Sequence, residues 1–445
     1  MSRDAARCLE PLESRLALSA SANAALESYV AAIYQDLLHR AVDSAGEAYW
    51  MNQIAQGETL GRIASTIADS GERFAALIES TYQSVLGRGA DVAGLSYWLA
   101  AHQGGLTDEQ LEAGLLATDE FYRREGGTDA AFVAGVYQTL FGRAVDAQGE
   151  AFWEGLLAGG VSRLAVSQYL AHSTEREQLR VEDDYANVLH QPADPAGVAH
   201  WTAQLMSGVS NEHVVSAFTS SRTYFKGQTG VPYAAVPVAS DFGTWQSDVQ
   251  AIDARAAMSN PQLLFLGDSI TANWTNSPGA AVWNQVYASR NALQAGIFGD
   301  ETQGVLWRLE HSALANLQPK AVVLMIGTNN LTEGDSPADV AQGIQAVVGK
   351  LREIYPNAQI LLMGILPRGA TADDPMRQAA AATNQLISGL ADGQHVQFFD
   401  IGAALLNPDG TFRPGVMQPG LIHINTIGYQ FWAAAIEPAV RSALA

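Results

Sequence analysis

Four residues spread over the C-terminal half of the chain have the types that acyl transfer demands. Ser269 ends the apolar run LLFLGDS, directly after Gly267 and Asp268. Gly299 lies in Gly296-Ile297-Phe298-Gly299-Asp300, Asn329 in Gly327-Thr328-Asn329-Asn330, and His423 in GLIHINTIGY near the C-terminus. A serine hydroxyl attacks well only when a base within hydrogen-bond reach takes its proton, and the tetrahedral oxyanion that results needs N–H donors aimed at it. Ser269 would attack and His423 would take the proton. The main-chain N–H groups of Ser269 and Gly299, with the Asn329 amide, would hold the oxyanion. Glycine at 299 lets the main chain approach without a Cβ in the way. The expected chemistry is acyl transfer through an acyl-serine, with no cofactor and no metal.

Other candidates carry less. His311 and His395 show no metal-ligand spacing. Gly343 to Lys350 (GIQAVVGK) departs from a phosphate loop, because the interval is one residue too long and Leu351 stands where Ser or Thr is required. Asp268 is expected to hydrogen-bond within its own turn and Asp300 to cap the helix that follows. Arg308 and Arg368 are open to two readings, contact with a substrate carboxylate or phosphate, or a structural role.

Loops carrying such residues are positioned best at the carboxyl ends of parallel strands, where strands turn into helices. Apolar runs at 262–266, 321–326 and 359–365 alternate with helical segments, which predicts βαβ units and a parallel sheet. LLFL, AVVLMI and QILLMGIL read as strands buried on both faces.

The order and context of these blocks resemble the SGNH (GDSL-type) esterase and lipase family. The match is nearest to its platelet-activating-factor acetylhydrolase-like branch, through GDSIT, FGDETQGVLWRLE, VVLMIGTNN, LLMGILPRG and HxxxxGYxxWAxAIEP. The resemblance implies a flavodoxin-like three-layer α/β/α fold with a parallel sheet, Ser269 as nucleophile, Gly299 and Asn329 in the oxyanion hole, and His423 as general base. It departs at one place. The family sets an aspartate three residues before the histidine, and here that position is Gly420. Gln418 or a main-chain carbonyl is the nearest candidate to take its place, so reduced activity is expected.

The N-terminal half is a different text. Arg40, Asp43, Gly46, Trp50 recur as Arg88, Asp91, Gly94, Trp98, then as Arg143, Asp146, Gly149, Trp153, and a fourth time as Gln191, Asp194, Gly197, Trp201. A tyrosine precedes each first position by six residues (Tyr34, Tyr82, Tyr137, Tyr185), and Thr59, Thr107, Ser162 and Ser210 follow at a common offset. Such self-similarity marks a repeat architecture. Each unit reads as a small set of helices: a Tyr-x-x-Leu helix, a turn whose aspartate caps the tryptophan helix, and a Thr or Ser that caps a third. One acid per turn is too few for calcium, and one tryptophan per unit at a fixed place suits core packing better than a sugar platform. These units resemble a bacterial domain of unknown function built on GRxxDxxGxxxW, found in exported and surface proteins.

At 445 residues with 48% hydrophobic and 16% charged side chains, the chain is globular and multidomain. Expected boundaries are a leader or tail over 1–25, an all-α repeat region over 26–225, a linker or ordered strap over 226–240 (KGQTGVPYAAVPVAS), and the hydrolase over 241–445. A net charge of -21 argues against nucleic acid as a partner. The only cysteine, Cys8, excludes an intrachain disulfide. No run is long enough to span a membrane. Leu12 to Leu18 (LESRLAL) resembles a short element that opens many large bacterial surface proteins, which implies a secreted or cell-surface location. The overall expectation is a serine esterase acting on a short, acetyl-type ester of a carbohydrate or lipid, with a cell-surface or matrix partner for the repeats. The alternative is a surface adhesion or assembly protein whose hydrolase fold has decayed to a binding module.

Overall fold

A computed structural model describes residues 3–445, with side chains from residue 21 onward. The expected leader falls mainly on positions 1–20, so Leu12 to Leu18 lies outside the described side chains. The chain forms two compact units, one of Met1–Tyr29, Ala45–Leu60 and Gln228–Ala445, the other of Val30–Ser44 and Gly61–Gly227. Among the described residues no helix is long and apolar enough to cross a membrane.

The first unit holds a sheet of five parallel strands, β1 (Leu263–Gly267), β2 (Ala292–Gly296), β3 (Ala321–Met325), β4 (Gln359–Met363) and β5 (Val396–Phe399), in the order β2-β1-β3-β4-β5. That is the flavodoxin-like order, with its switch point beside β1. Alternate strand residues serve opposite cores, as the two-residue period of a strand requires. Leu264, Leu266, Val322, Leu324, Ile360 and Leu362 pack on one face with helix residues Trp245, Val305, Val340 and Ala380. Leu263, Phe265, Val323, Met325, Leu361 and Met363 pack on the other with Trp283, Tyr429, Trp432 and Ile436. Each fully buried Leu, Val or Phe contributes about 1.5–3 kcal/mol, so the all-apolar strands commit the sheet to the middle layer of three. β1, β3 and β4 coincide with the three apolar runs. β2 (ALQAG) and the edge strand β5 (VQFF) are less apolar, and Gln294 is buried only by bonding the Gly296 carbonyl at 3.0 Å.

The proline-rich stretch before the sheet is an ordered strap. Ala234, Val236 and Val238 are fully buried. The Val238 N–H donates to the Gln303 carbonyl at 3.2 Å, and the Thr302 hydroxyl to the Ala234 carbonyl at 2.7 Å. A Cβ on Gly343 would stand 2.5 Å from that same carbonyl oxygen, so Gly343 serves close packing in the helix Pro337–Ile354. In the same unit, the Trp307 indole donates to the Ile54 carbonyl at 2.9 Å, which ties a turn of the first repeat to the helix Thr302–His311.

The second unit is helical. Asp91, Asp146 and Asp194 cap the helices Val92–Gln103, Ala147–Ala158 and Pro195–Met206, and Thr107, Ser162 and Ser210 cap the next ones. The repeated arginines have two partners each. Arg40, Arg88 and Arg143 lie over Tyr34, Tyr82 and Tyr137 at 4.9, 5.3 and 5.2 Å, and form two-pronged bonds with Glu72, Glu120 and Glu175, each 32 residues on. Where the fourth repeat has Gln191, the position 32 further is Thr223, so both halves of the pair are lost together. The repeat glycine is explained as well: a Cβ on Gly94 or Gly197 would stand 2.2 or 2.0 Å from the hydroxyl of Tyr82 or Tyr185. Trp50, Trp98 and Trp153 are buried, and Trp201 is half-buried.

Candidate active site

β1 runs directly into the turn that presents Ser269. A Cβ on Gly267 would lie 2.0 Å from the Met325 carbonyl oxygen of β3, so no other residue fits. Gly296 is equally constrained, since a Cβ there would lie 2.6 Å from the Asp268 carbonyl oxygen. Asp268 Oδ1 accepts the Ile270 N–H at 2.8 Å and caps the short helix Ser269–Ala272, within its own turn as expected. Its Oδ2 is buried without a hydrogen-bond partner, and burial, reinforced by the Asp300 charge, pushes the carboxyl up to about 7.

Ser269 and His423 meet. Ser269 Oγ lies 2.8 Å from His423 Nε2, although 154 residues separate them. The histidine is carried by a narrow turn in which Met417 bridges Ile424 and the Gln418 N–H donates to the His423 carbonyl at 2.8 Å. Gly420 (φ +93°) and Leu421 (φ +55°) make the reversal in left-handed backbone. Beyond it, Asn425 caps the helix Thr426–Leu444, and the Tyr429 hydroxyl of that helix donates to the Ile270 carbonyl at 2.6 Å. The short helix that starts at Ser269 and the histidine loop are thereby fastened to each other.

No group among the described residues is hydrogen-bonded to the other ring nitrogen of His423. Gln418, the nearest candidate to replace a carboxylate, instead donates its amide to the Ile424 carbonyl at 3.0 Å. Burial, and then the charge of Arg368, hold the imidazole below its ordinary value. His423 is therefore neutral at neutral pH and free to accept a proton.

Gly299 and Asn329, the residues expected on the oxyanion side, sit past the ends of β2 and β3, the two neighbours of β1. Gly299 adopts φ +73°, and a Cβ there would lie 2.6 Å from the Phe242 ring. Asn329 Nδ2 donates one hydrogen to the Asp300 carbonyl at 2.8 Å, which holds the amide beside the Asp300–Glu301 peptide. Neither the Ser269 nor the Gly299 N–H has an acceptor among the described residues. Asn330 is fully buried and works as a clamp: its Oδ1 accepts the Thr302 N–H at 3.0 Å, and its Nδ2 donates to Gln303 and Asp335.

One expectation is corrected here, and for Arg308 the structural reading is the one the structure bears out. Asp300 does not cap the helix Thr302–His311, whose cap position is Glu301. It is fully buried, accepts from the Trp245 indole at 2.8 Å, and pairs with Arg308, which is itself unexposed. Burial raises the Asp300 carboxyl more than Arg308 lowers it. Arg308 also donates to the Ala295 carbonyl at 2.6 Å, so it braces the end of β2 and is out of reach of any substrate. Arg368 Nη1 donates to the Thr328 carbonyl and the Thr332 hydroxyl, at 3.0 and 2.7 Å. Phe242, 54% exposed over Gly299, has no sequence signal of its own, because its partner is a bare main chain brought near only by the fold.

Residues 265–431 match the GDSL-like lipase/acylhydrolase family. Platelet-activating factor acetylhydrolase IB subunit alpha1 of Bos taurus is 34% identical over 188 residues, 42% of this chain and 78% of that protein. The chain belongs to the GDSL-like lipase/acylhydrolase family. The alpha2 subunit of Rattus norvegicus is 34% identical over 200 residues, 45% of this chain and 84% of that one. Two solved structures are similar to the acylhydrolase domain. A GDSL-like lipase from Bacteroides thetaiotaomicron (20% identity, TM-score 0.36) covers 44% of this chain and 98% of its own. An acetylxylan esterase from Geobacillus stearothermophilus (20%, 0.35) covers 41% and 94%. Ahead of the acylhydrolase domain, residues 10–77, 74–125, 112–180 and 181–226 match a domain of unknown function, DUF4214.

Proposed function

We propose that the acylhydrolase domain cleaves short-chain carboxylic esters, acetyl esters first, through an acyl intermediate on Ser269. The observation that carries this reading is the 2.8 Å contact between Ser269 Oγ and a neutral His423 Nε2. Ser269 Oγ attacks the carbonyl carbon while its proton passes to Nε2. The carbonyl π electrons move to oxygen, which the Ser269 and Gly299 N–H groups and the Asn329 amide stabilise. Collapse breaks the ester C–O bond, and the departing alcohol takes the proton from His423. Water then repeats the sequence, releasing the acid and restoring the serine. The imidazolium formed in each half-reaction lacks a carboxylate at position 420, so the pair works as a dyad with a slower chemical step.

Acetyl is favoured because the curated relatives are acetylhydrolases by name, and a carbohydrate or lipid alcohol is the proposed other half. The chain is proposed to act outside the cell or on its surface, with the repeats as the partner-binding part. Gly420 favours a second reading, an adhesion or assembly protein with an impaired hydrolase fold. Labelling by a fluorophosphonate, and hydrolysis of a p-nitrophenyl ester series and acetylated glycans, separate the two. Labelling and turnover abolished by Ser269→Ala support the esterase, whereas an unlabelled, inactive wild type refutes it.

A further inference from the structure

The helical repeats carry charge where their own pattern does not require it. Directly after the Thr or Ser cap stand Leu60, Asp108, Arg163 and Asn211 in repeats one to four. Thirty-three residues after the repeat's first position stand Arg73, Phe121, Arg176 and Tyr224. Repeats one and three thus place Arg73 and Arg176, and repeats two and four place Asp108 and Asn211. All four line one cavity of about 700 Å³ within the repeat unit.

The polar atoms of this cavity are unevenly matched. The Asp108 side chain is 2% exposed, yet neither oxygen has a hydrogen-bond partner. Asn211 Oδ1 and Asp184 Oδ2 are buried and unpartnered too. Arg73 approaches Asp108 only to 3.9 Å and Glu212 to 3.5 Å, while Arg176 and Arg180 are committed to Glu112 at 2.8 and 3.1 Å. Every fully buried, unpartnered side-chain atom lining the cavity is an acceptor. Carboxylates also outnumber guanidiniums, since Asp108, Glu109, Glu112, Glu177, Asp184 and Glu212 surround Arg73, Arg176 and Arg180. Buried acceptors and excess negative charge both call for a cation that brings N–H donors. No group of three or more His, Cys, Asp or Glu among the described residues is arranged to hold a metal ion. Leu77, Val188 and Val215 line the same space, which suits methylene groups better than sugar hydroxyls.

We propose that this cavity binds a linear alkyl di- or polyamine, its ammonium groups donating to Asp108, Asp184 and Asn211 and its methylenes lying on Leu77, Val188 and Val215. Burial raises the Asp108 and Asp184 carboxyls, and a bound ammonium would oppose that by favouring their charged form. The site is independent of Ser269. Calorimetric titration of the full chain with putrescine and spermidine tests it, with 1,4-butanediol as the uncharged control. Saturable binding to the amines is expected, at least tenfold weaker in Asp108→Asn, tighter in Asn211→Asp and unchanged in Ser269→Ala. Circular dichroism checks that each variant is folded, and if Asp108→Asn does not fold, Asn211→Asp carries the test. The proposal is overturned by absence of saturable binding, by equal affinity for the diol, or by unaltered affinity in the folded variants.

Discussion

Gly420→Asp restores a carboxylate three residues before His423, and its consequences divide cleanly between stability and rate. An added Cβ meets no heavy atom within 4 Å, so the substitution has room. Its cost is the left-handed backbone at φ +93°, about 1–2 kcal/mol for a residue with a side chain. For a domain of this size each kcal/mol lowers Tm by about 2–4 °C. That strain is common to the free enzyme and the transition state, so it does not raise the barrier. The gain is in the imidazolium, which now forms opposite a carboxylate. The orienting aspartate of a serine protease triad is worth about 10⁴ in kcat, or about 5 kcal/mol. A side chain placed without a supporting shell recovers part of this, and a rise of at least about tenfold is expected. The pH profile moves as well. In the proposed mechanism neutral His423 is the base, and burial with Arg368 holds its pKa below 6.5, so in the native chain kcat/KM is expected to be lost only as pH falls below that value. A neighbouring carboxylate favours the protonated ring and moves this acid limb upward. The assay is p-nitrophenyl acetate hydrolysis across the pH range, alongside a thermal melt. An unchanged kcat with an unmoved acid limb in a folded variant would falsify the reasoning, since the ring would then already be fully supported.

Asn329→Ala is expected to lower kcat by about 10²–10³ with little change in KM, measured on the same ester. Asp300→Asn leaves the unexposed Arg308 without its charge partner and should destabilise the acylhydrolase domain by about 3–5 kcal/mol in denaturant melts. Asp268, with a carboxyl raised to about 7 against an ordinary 3.8, makes the folded state bind more protons than the unfolded one between those values. Stability therefore falls as pH rises through this window, by up to about 4 kcal/mol. Asp268→Asn should flatten that dependence and melt higher than the native chain at pH 8, and a native profile flat between pH 4 and 8 would count against it. Gly299→Ala meets both positive φ and the Phe242 ring, and should lose activity more than Phe242→Ala, which only uncovers the loop.

The sequence makes the central strands plain because β1, β3 and β4 are apolar on both faces, a pattern only a covered parallel sheet explains. β2 and β5 are fainter, since one has Gln294 at its centre and the other lies at the edge. Ser269 and His423 are legible as types at the ends of elements, and their 2.8 Å approach is a product of the fold. Asp300 shows how local reading fails. Beside a helix start an aspartate looks like a cap, and only the burial of Arg308 eight residues on turns it into half of an interior ion pair. The repeat glycine had a similar hidden cause, the tyrosine hydroxyl at its back, while capping by Asp91, Asp146 and Asp194 was local and readable. The alternation of Arg73 and Arg176 with Asp108 and Asn211 is visible in the letters, but it means nothing until the four line one cavity.

The most direct test of the esterase assignment is to trap the acyl intermediate. The chain is quenched in acid within its first turnovers on an acetyl ester, digested, and the acetylated peptide identified by mass. The account predicts a gain of one acetyl group on the peptide containing Ser269, absent in Ser269→Ala and slowed in His423→Ala. An acetyl group on another residue, or ester turnover that persists undiminished in Ser269→Ala, would contradict it.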